Sequence, residues 1–195
     1  MCEFSIQGEK KFCTIEVLQS DCVWCIVESD TFRKFKHKFA KSCYNKFMKL
    51  YLDNCCYSRP FDDQTQDRIH IESEAVLAIL RACENGAVTI FSSPVLRMEI
   101  DKFPNEDKRE KVLSLYSLAN PEIPFSEEIK ARAEELRSKS SIRLMDSLHV
   151  ATAEAGKADF MLTTDDKLIK SCVRLNLVVK VMNPVTFLLE AAEEK

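Results

Sequence analysis

Four carboxylates in this chain, Asp53, Glu99, Asp146 and Asp165, are the residues best placed to do chemistry. Gathered in one crevice they would repel one another and raise each other's pKa values unless a divalent cation neutralised them. Hard oxygen donors without a histidine or thiolate set favour Mg2+ or Mn2+. Such a site hydrolyses phosphodiester bonds with a metal-activated water, and a second ion about 3.5 to 4 Å away can stabilise the leaving oxygen. Singly, each acid also has a structural reading: Asp53 as a turn cap, Glu99 as a solvated helix residue, Asp146 as a partner of a helix dipole, Asp165 as an N-cap.

The elements that must position these acids follow from periodicity. Residues 49–52 form a short apolar strand running into Asp53, and the turn-rich NCCYSRPFDDQTQD comes next. A helix is predicted over 70–85, with Gly86 at its left-handed C-terminal cap, and a strand over 88–91. Ser93 and Pro94 open a helix that carries Glu99 to about Phe103, with Pro104 ending it. Val112, Leu115, Tyr116 and Ala119 line one helix, and Ser126 caps another with Ile129, Ala133 and Leu136 inward. In the helix that follows, Leu144, Leu148, Ala151 and Ala155 make an apolar stripe. The opposite face holds Asp146, His149, Val150 and Ala153, which predicts cover on both sides. A strand at 160–163 leads to Asp165, the cap of the next helix; a strand at 177–182 and a helix from Asn183-Pro184 close the order. Four strands alternating with helices predict a parallel sheet covered on both sides, with the crevice beyond the strands' carboxyl ends.

Other residues leave alternatives open. His149 lies one turn beyond Asp146 and either orients a carboxylate or phosphate or is a hydrogen-bonded core residue. Thr163 and Thr164 either place a hydroxyl near the acids or satisfy a strand end. Cys55 and Cys56 follow Asp53 without a base to activate a thiol, so reduced buried cysteine is the expectation. Asp166 competes with Asp165 for the fourth place, whereas Asp62, Asp63 and Asp101 read as surface or loop acids. A phosphotransfer site is excluded by the absence of D-x-D after the first strand and of a glycine-rich phosphate loop.

Composition narrows the class. A chain of 195 residues holds one domain with a full core plus an extension, divided here as 1–47 and 48–195. The net charge of -3 argues against nucleic-acid binding by overall charge. Nine cysteines with one C-x-x-C pair, Cys22 and Cys25, support neither a disulfide framework nor a zinc ribbon and fit a reducing cytoplasm. No apolar run reaches the length of a membrane span. Between Thr31 and Phe47 basic residues interleave with aromatics, either an RNA-contacting arm or a basic surface helix or leader. Cys13, Cys22, Cys25, His37 and Cys43 lack the second paired motif that a zinc site needs. Residues from Met48 onward are expected to fold and act alone.

LYLDNCC at 50–56, SSPVLRMEI at 92–100, MDSLHVATA at 145–153 and FMLTTDD at 160–166 resemble the PIN-domain nucleases, especially the virulence-associated protein C (VapC) ribonuclease toxins. The likeness covers about residues 48–190, in motif order and spacing. It implies an α/β three-layer sandwich with a parallel sheet of about four or five short strands flanked by helices. Asp53, Glu99, Asp146 and Asp165 match the family's metal-holding acids, for Mg2+ or Mn2+. The resemblance further implies a cytoplasmic endoribonuclease leaving a 5′-phosphate and 3′-hydroxyl, the toxin of a type II toxin-antitoxin pair, a homodimer, and a small antitoxin protein as partner. The alternative is a catalytically silent PIN-like module that binds RNA or protein. After Asp53 this chain has Asn54 and Cys55 where the family commonly has a small hydroxyl residue and then asparagine.

Overall fold

The computed structural model describes residues 48–193, and the expectations for residues 1–47 lie outside that range. β1 (Met48–Leu52), β2 (Val88–Phe91), β3 (Phe160–Leu162) and β4 (Lys180–Met182) form one sheet in the order β2-β1-β3-β4. Every pairing is parallel, with Tyr51 opposite both Phe91 and Met161. The strands are almost wholly apolar because both faces of the sheet are covered. β1 is central, and the chain passes to β2 on one side and later to β3 on the other. The crevice at such a switch of direction lies beyond the end of β1, where Asp53 begins.

The helices are α1 (Asn54–Ser58), α2 (Asp67–Glu84), α3 (Pro94–Ile100), α4 (Glu106–Tyr116), α5 (Glu127–Lys139), α6 (Leu144–Ala155), α7 (Asp166–Cys172) and α8 (Pro184–Glu193). Tyr51, Phe91 and Met161 pack into a core with Ile129, Ala133 and Leu136 of α5 and Val150, Ala151 and Ala153 of α6. Strand alternation turns Leu50, Leu52, Ile90 and Leu162 to the other face, whose layer includes α2, packed against α8. The sheet thus lies between helical layers, as expected for a three-layer α/β sandwich.

Local chemistry fixes the helix ends. Ser93, Asn105 and Ser126 each accept a backbone N–H three residues on, and Gly86 adopts φ 71°, a left-handed conformation suited to a residue without Cβ. The segment expected to be all turn after Asp53 instead forms α1 and a 3-10 turn (Arg59–Phe61), since burying Cys56 and Tyr57 favours an ordered helix there. α3 stops at Ile100 rather than near Phe103. Lys102 and Phe103 donate to the carbonyls of Glu99 and Ile100 in a tighter turn, and Pro104 disfavours helical backbone at Phe103. β4 starts at Lys180 rather than at 177, because the Val178 N–H donates to Glu154 instead of joining the sheet. The predicted stripe on α6 holds only in the middle: Leu144 and Ala155 are exposed, while Ser147, His149, Val150, Ala151, Thr152 and Ala153 are buried.

Candidate functional site

Asp53 leaves β1 as the N-cap of α1, so its structural role and its placement at the strand end coincide. Its Oδ1 accepts the Asn54 N–H at 2.7 Å. Its Oδ2 accepts the Thr163 hydroxyl at 2.7 Å and the Cys55 thiol at 3.2 Å. Thr163 lies just past β3, the neighbour of β1, and Cys55 in turn accepts the Thr164 N–H at 3.2 Å. Cys55 is therefore a support of the first aspartate, rather than an inert buried thiol, and only partly buried.

Glu99 reaches the same place from α3. Its Oε2 accepts His149 Nε2 at 2.9 Å, and that nitrogen stands 3.8 Å from Asp53 Oδ1. His149 comes from α6, one turn beyond Asp146, and is 1% exposed. Behind it, Nδ1 lies 2.8 Å from the Tyr51 hydroxyl, which lies 2.8 Å from Ser93 Oγ. Burial lowers the pKa of the His149 imidazole, but Glu99, Asp53 and Asp146 outweigh burial and raise it above the ordinary value. Half-burial raises Glu99 in turn, and the hydrogen bond and charge of His149, with Lys102 and Arg143, bring it below its ordinary value. Both shifts favour the charged form of each group, with Nε2 donating to the Glu99 carboxylate.

Asp146 and Asp165 form the other part of the cluster. Arg143, just before α6, donates from Nε to Asp146 Oδ2 at 2.9 Å and from a terminal nitrogen to Asp165 Oδ2 at 2.9 Å. Burial raises the Asp146 carboxyl above its usual pKa; Arg143 opposes this, and Asp53 and Asp165 add to it. Asp165 Oδ1 caps α7, accepting the N–H groups of Lys167 and Leu168. Asp166 turns away to Arg68, two hydrogen bonds of 2.8 Å holding its carboxyl below the usual range. Of the two neighbours, Asp165 is the one near the other acids. Asp62, Asp63 and Asp101 are engaged locally, with Arg59 and Lys108, with Thr65, and with Arg97.

Potential donor atoms of Asp53, Glu99 and His149 lie within 4.8 Å of one another, which puts the two carboxylates close enough to share one ion. Asp146 and Asp165 stand outside that group and meet instead on Arg143, and carboxylate oxygens such as these four residues offer suit a hard divalent cation. His149, whose Nε2 is engaged with Glu99, serves as the orienting partner of that carboxylate. Beside Asp146 and Asp165 opens a cavity of about 670 Å3 whose walls include Arg59, Arg68, Arg143 and Lys167. Glu72, 3% exposed, holds two of these cations in place: its carboxylate lies 3.0 Å from Arg59 Nε and accepts from Arg68 Nε and the Asn183 amide.

A family model for the PIN domain matches residues 63–172. The chain belongs to the PIN domain family. The matched span contains Glu99, Asp146, His149 and Asp165, whereas Asp53 precedes it, directly after β1. Among solved structures the PIN domain is similar to a chain of VapBC2 from Rickettsia felis bound to a DNA fragment from their promoter. The identity is 18% over 70% of this chain and 98% of that one, with a TM-score of 0.49. No curated protein sequence matches. Among the described residues no helix is long and apolar enough to cross a membrane.

Sequence reading raised His149 and Thr163 as possible partners of the acids but not Arg143. Arg143 stands three residues before Asp146, an ordinary spacing for a surface ion pair, and only the fold brings the same guanidinium to Asp165, 22 residues away. The thiol at Cys55 carried a signal, since it fills a position that departs from the family's pattern beside the first aspartate.

Proposed function

We propose that this PIN domain is a divalent-metal-dependent endoribonuclease in which Asp53, Glu99, Asp146 and Asp165 hold Mg2+ or Mn2+. The observation that supports the reading is the pairing of acids from four separate elements, Asp53 and Glu99 on His149 and Asp146 and Asp165 on Arg143. A bound ion would lower the pKa of a coordinated water and offset charge on the phosphodiester. The chain's residues supply the rest. Thr163 and Cys55 fix Asp53 Oδ2 and leave Oδ1 turned towards His149, while His149, anchored by Tyr51 and Ser93, fixes Glu99. Arg59, Arg68 and Lys167 give the adjoining cavity cations that can take backbone phosphates. An RNA phosphodiester is the substrate, consistent with the motifs shared with the VapC toxins. The same likeness supports a type II toxin role, a homodimer, a small antitoxin partner and a cytoplasmic setting.

The test is a cleavage assay on end-labelled RNA with the full chain. Cleavage in Mn2+ or Mg2+, none in EDTA, and recovery on adding metal back are expected. Asp146→Asn, with an unchanged circular dichroism spectrum, should lose about 100-fold or more, the scale of removing one charge-stabilising group from an active site. Cleavage that persists after full chelation overturns the metal mechanism. RNA binding without cleavage under every metal would favour the silent module.

A further inference from the structure

Arg143 occupies the carboxylate oxygens that an ion would need. Asp165 has one oxygen, Oδ1, committed to the N-terminus of α7, so Oδ2 is left to face the cluster, and Arg143 lies 2.9 Å from it. Both oxygens of Asp146 lie under the same guanidinium, at 2.9 and 3.5 Å. Divalent ions bind carboxylate oxygens at about 2.0 to 2.6 Å, so an ion and the guanidinium compete for the same lone pairs, with mutual repulsion between the two cations. The arginine side chain is 73% exposed and hangs from the extended residue before α6, so it can leave without disturbing the core.

We infer that Arg143 is an exchangeable counter-cation: it positions Asp146 and Asp165 when no ion is bound and must withdraw for the ion to enter. This rests on the metal reading proposed above. The apparent affinity for the ion is reduced by the fraction of molecules in which the acids are open, and an exposed ion pair closes them only modestly. Removing it should therefore tighten the ion about two- to fivefold.

The experiment is calorimetric titration of the chelator-stripped full chain with Mn2+ alone, on wild type, Arg143→Gln, Lys167→Gln and Asp146→Asn. Lys167 lines the same cavity, so its substitution removes one charge nearby without touching the Arg143 bridge. Arg143→Gln is expected to bind about two- to fivefold tighter than wild type, and Lys167→Gln within about 1.5-fold of it. Arg143→Gln should also unfold at a lower temperature than wild type in EDTA, with the gap closing in saturating Mn2+. Equal affinities for wild type and Arg143→Gln, with binding lost in Asp146→Asn, overturn the role of Arg143 and leave the metal site standing. Equal tightening by Lys167→Gln overturns it in favour of general electrostatics. No Mn2+ binding by wild type or Arg143→Gln overturns the metal reading and this inference together.

Discussion

The two parts of the acidic cluster hold their charge in opposite ways. Asp53 and Glu99 meet over a buried imidazole, and His149 is anchored from behind by Tyr51 and Ser93, so folding itself sets their geometry. Asp146 and Asp165 meet under a guanidinium that is mostly in solvent and that, among the described residues, hydrogen-bonds to these two acids alone. Buried hydrogen-bonded groups are costly to leave unpaired, whereas an exposed ion pair contributes about 1 kcal/mol at most. The first part is therefore fixed as soon as the sheet forms, and the second stays exchangeable. Under the proposed metal reading, a site that exists without its ion and then admits one gains from that division.

The contrast can be broken most sharply by removing each bridging cation. His149→Ala empties a fully buried position and removes one hydrogen-bond partner each from the Tyr51 hydroxyl and the Glu99 carboxylate. It should cost about 3 kcal/mol in urea unfolding with EDTA present. Arg143→Ala under the same conditions should change stability by no more than about 1 kcal/mol. Equal losses would mean that both parts are built into the core and that the contrast is false.

A smaller effect is expected at Cys55, which separates support of Asp53 from packing. Cys55→Ser keeps a donor beside Asp53 Oδ2 and should leave Mn2+ affinity within about twofold. Cys55→Ala leaves Thr163 as the one remaining side-chain donor to that oxygen among the described residues and should weaken Mn2+ about three- to tenfold, at the low end for partners of metal ligands. Titration of the two variants side by side checks this, and equal behaviour of serine and alanine would remove the thiol from the account.

Much of this architecture could be read in the chain because it rests on local rules. The strands announce themselves as apolar runs, Ser93 and Ser126 as caps ahead of helical periods, and Gly86 as the residue that tolerates φ 71°. Asp53 and Asp165 follow from where β1 and β3 end, which is why they were visible as strand-end residues, whereas Glu99 and Asp146 lie inside helices. What could not be read was long-range. Arg143 to Asp165, His149 to Glu99 and Thr163 to Asp53 span 22, 50 and 110 positions, and no spacing rule connects them. Likewise α1 was hidden behind turn-forming residues, because burial of Cys56 and Tyr57 overrides their local preference.

The central claim, that these acids hold a divalent ion, is tested most directly by anomalous diffraction from a crystal of the full chain soaked in Mn2+. The account predicts a peak in contact with Asp53 and with at least one of Glu99, Asp146 and Asp165, and Arg143 turned away from any of its acids that the ion engages. No peak at these carboxylates in crystals soaked to saturation, with Arg143 still bridging Asp146 and Asp165, would contradict it.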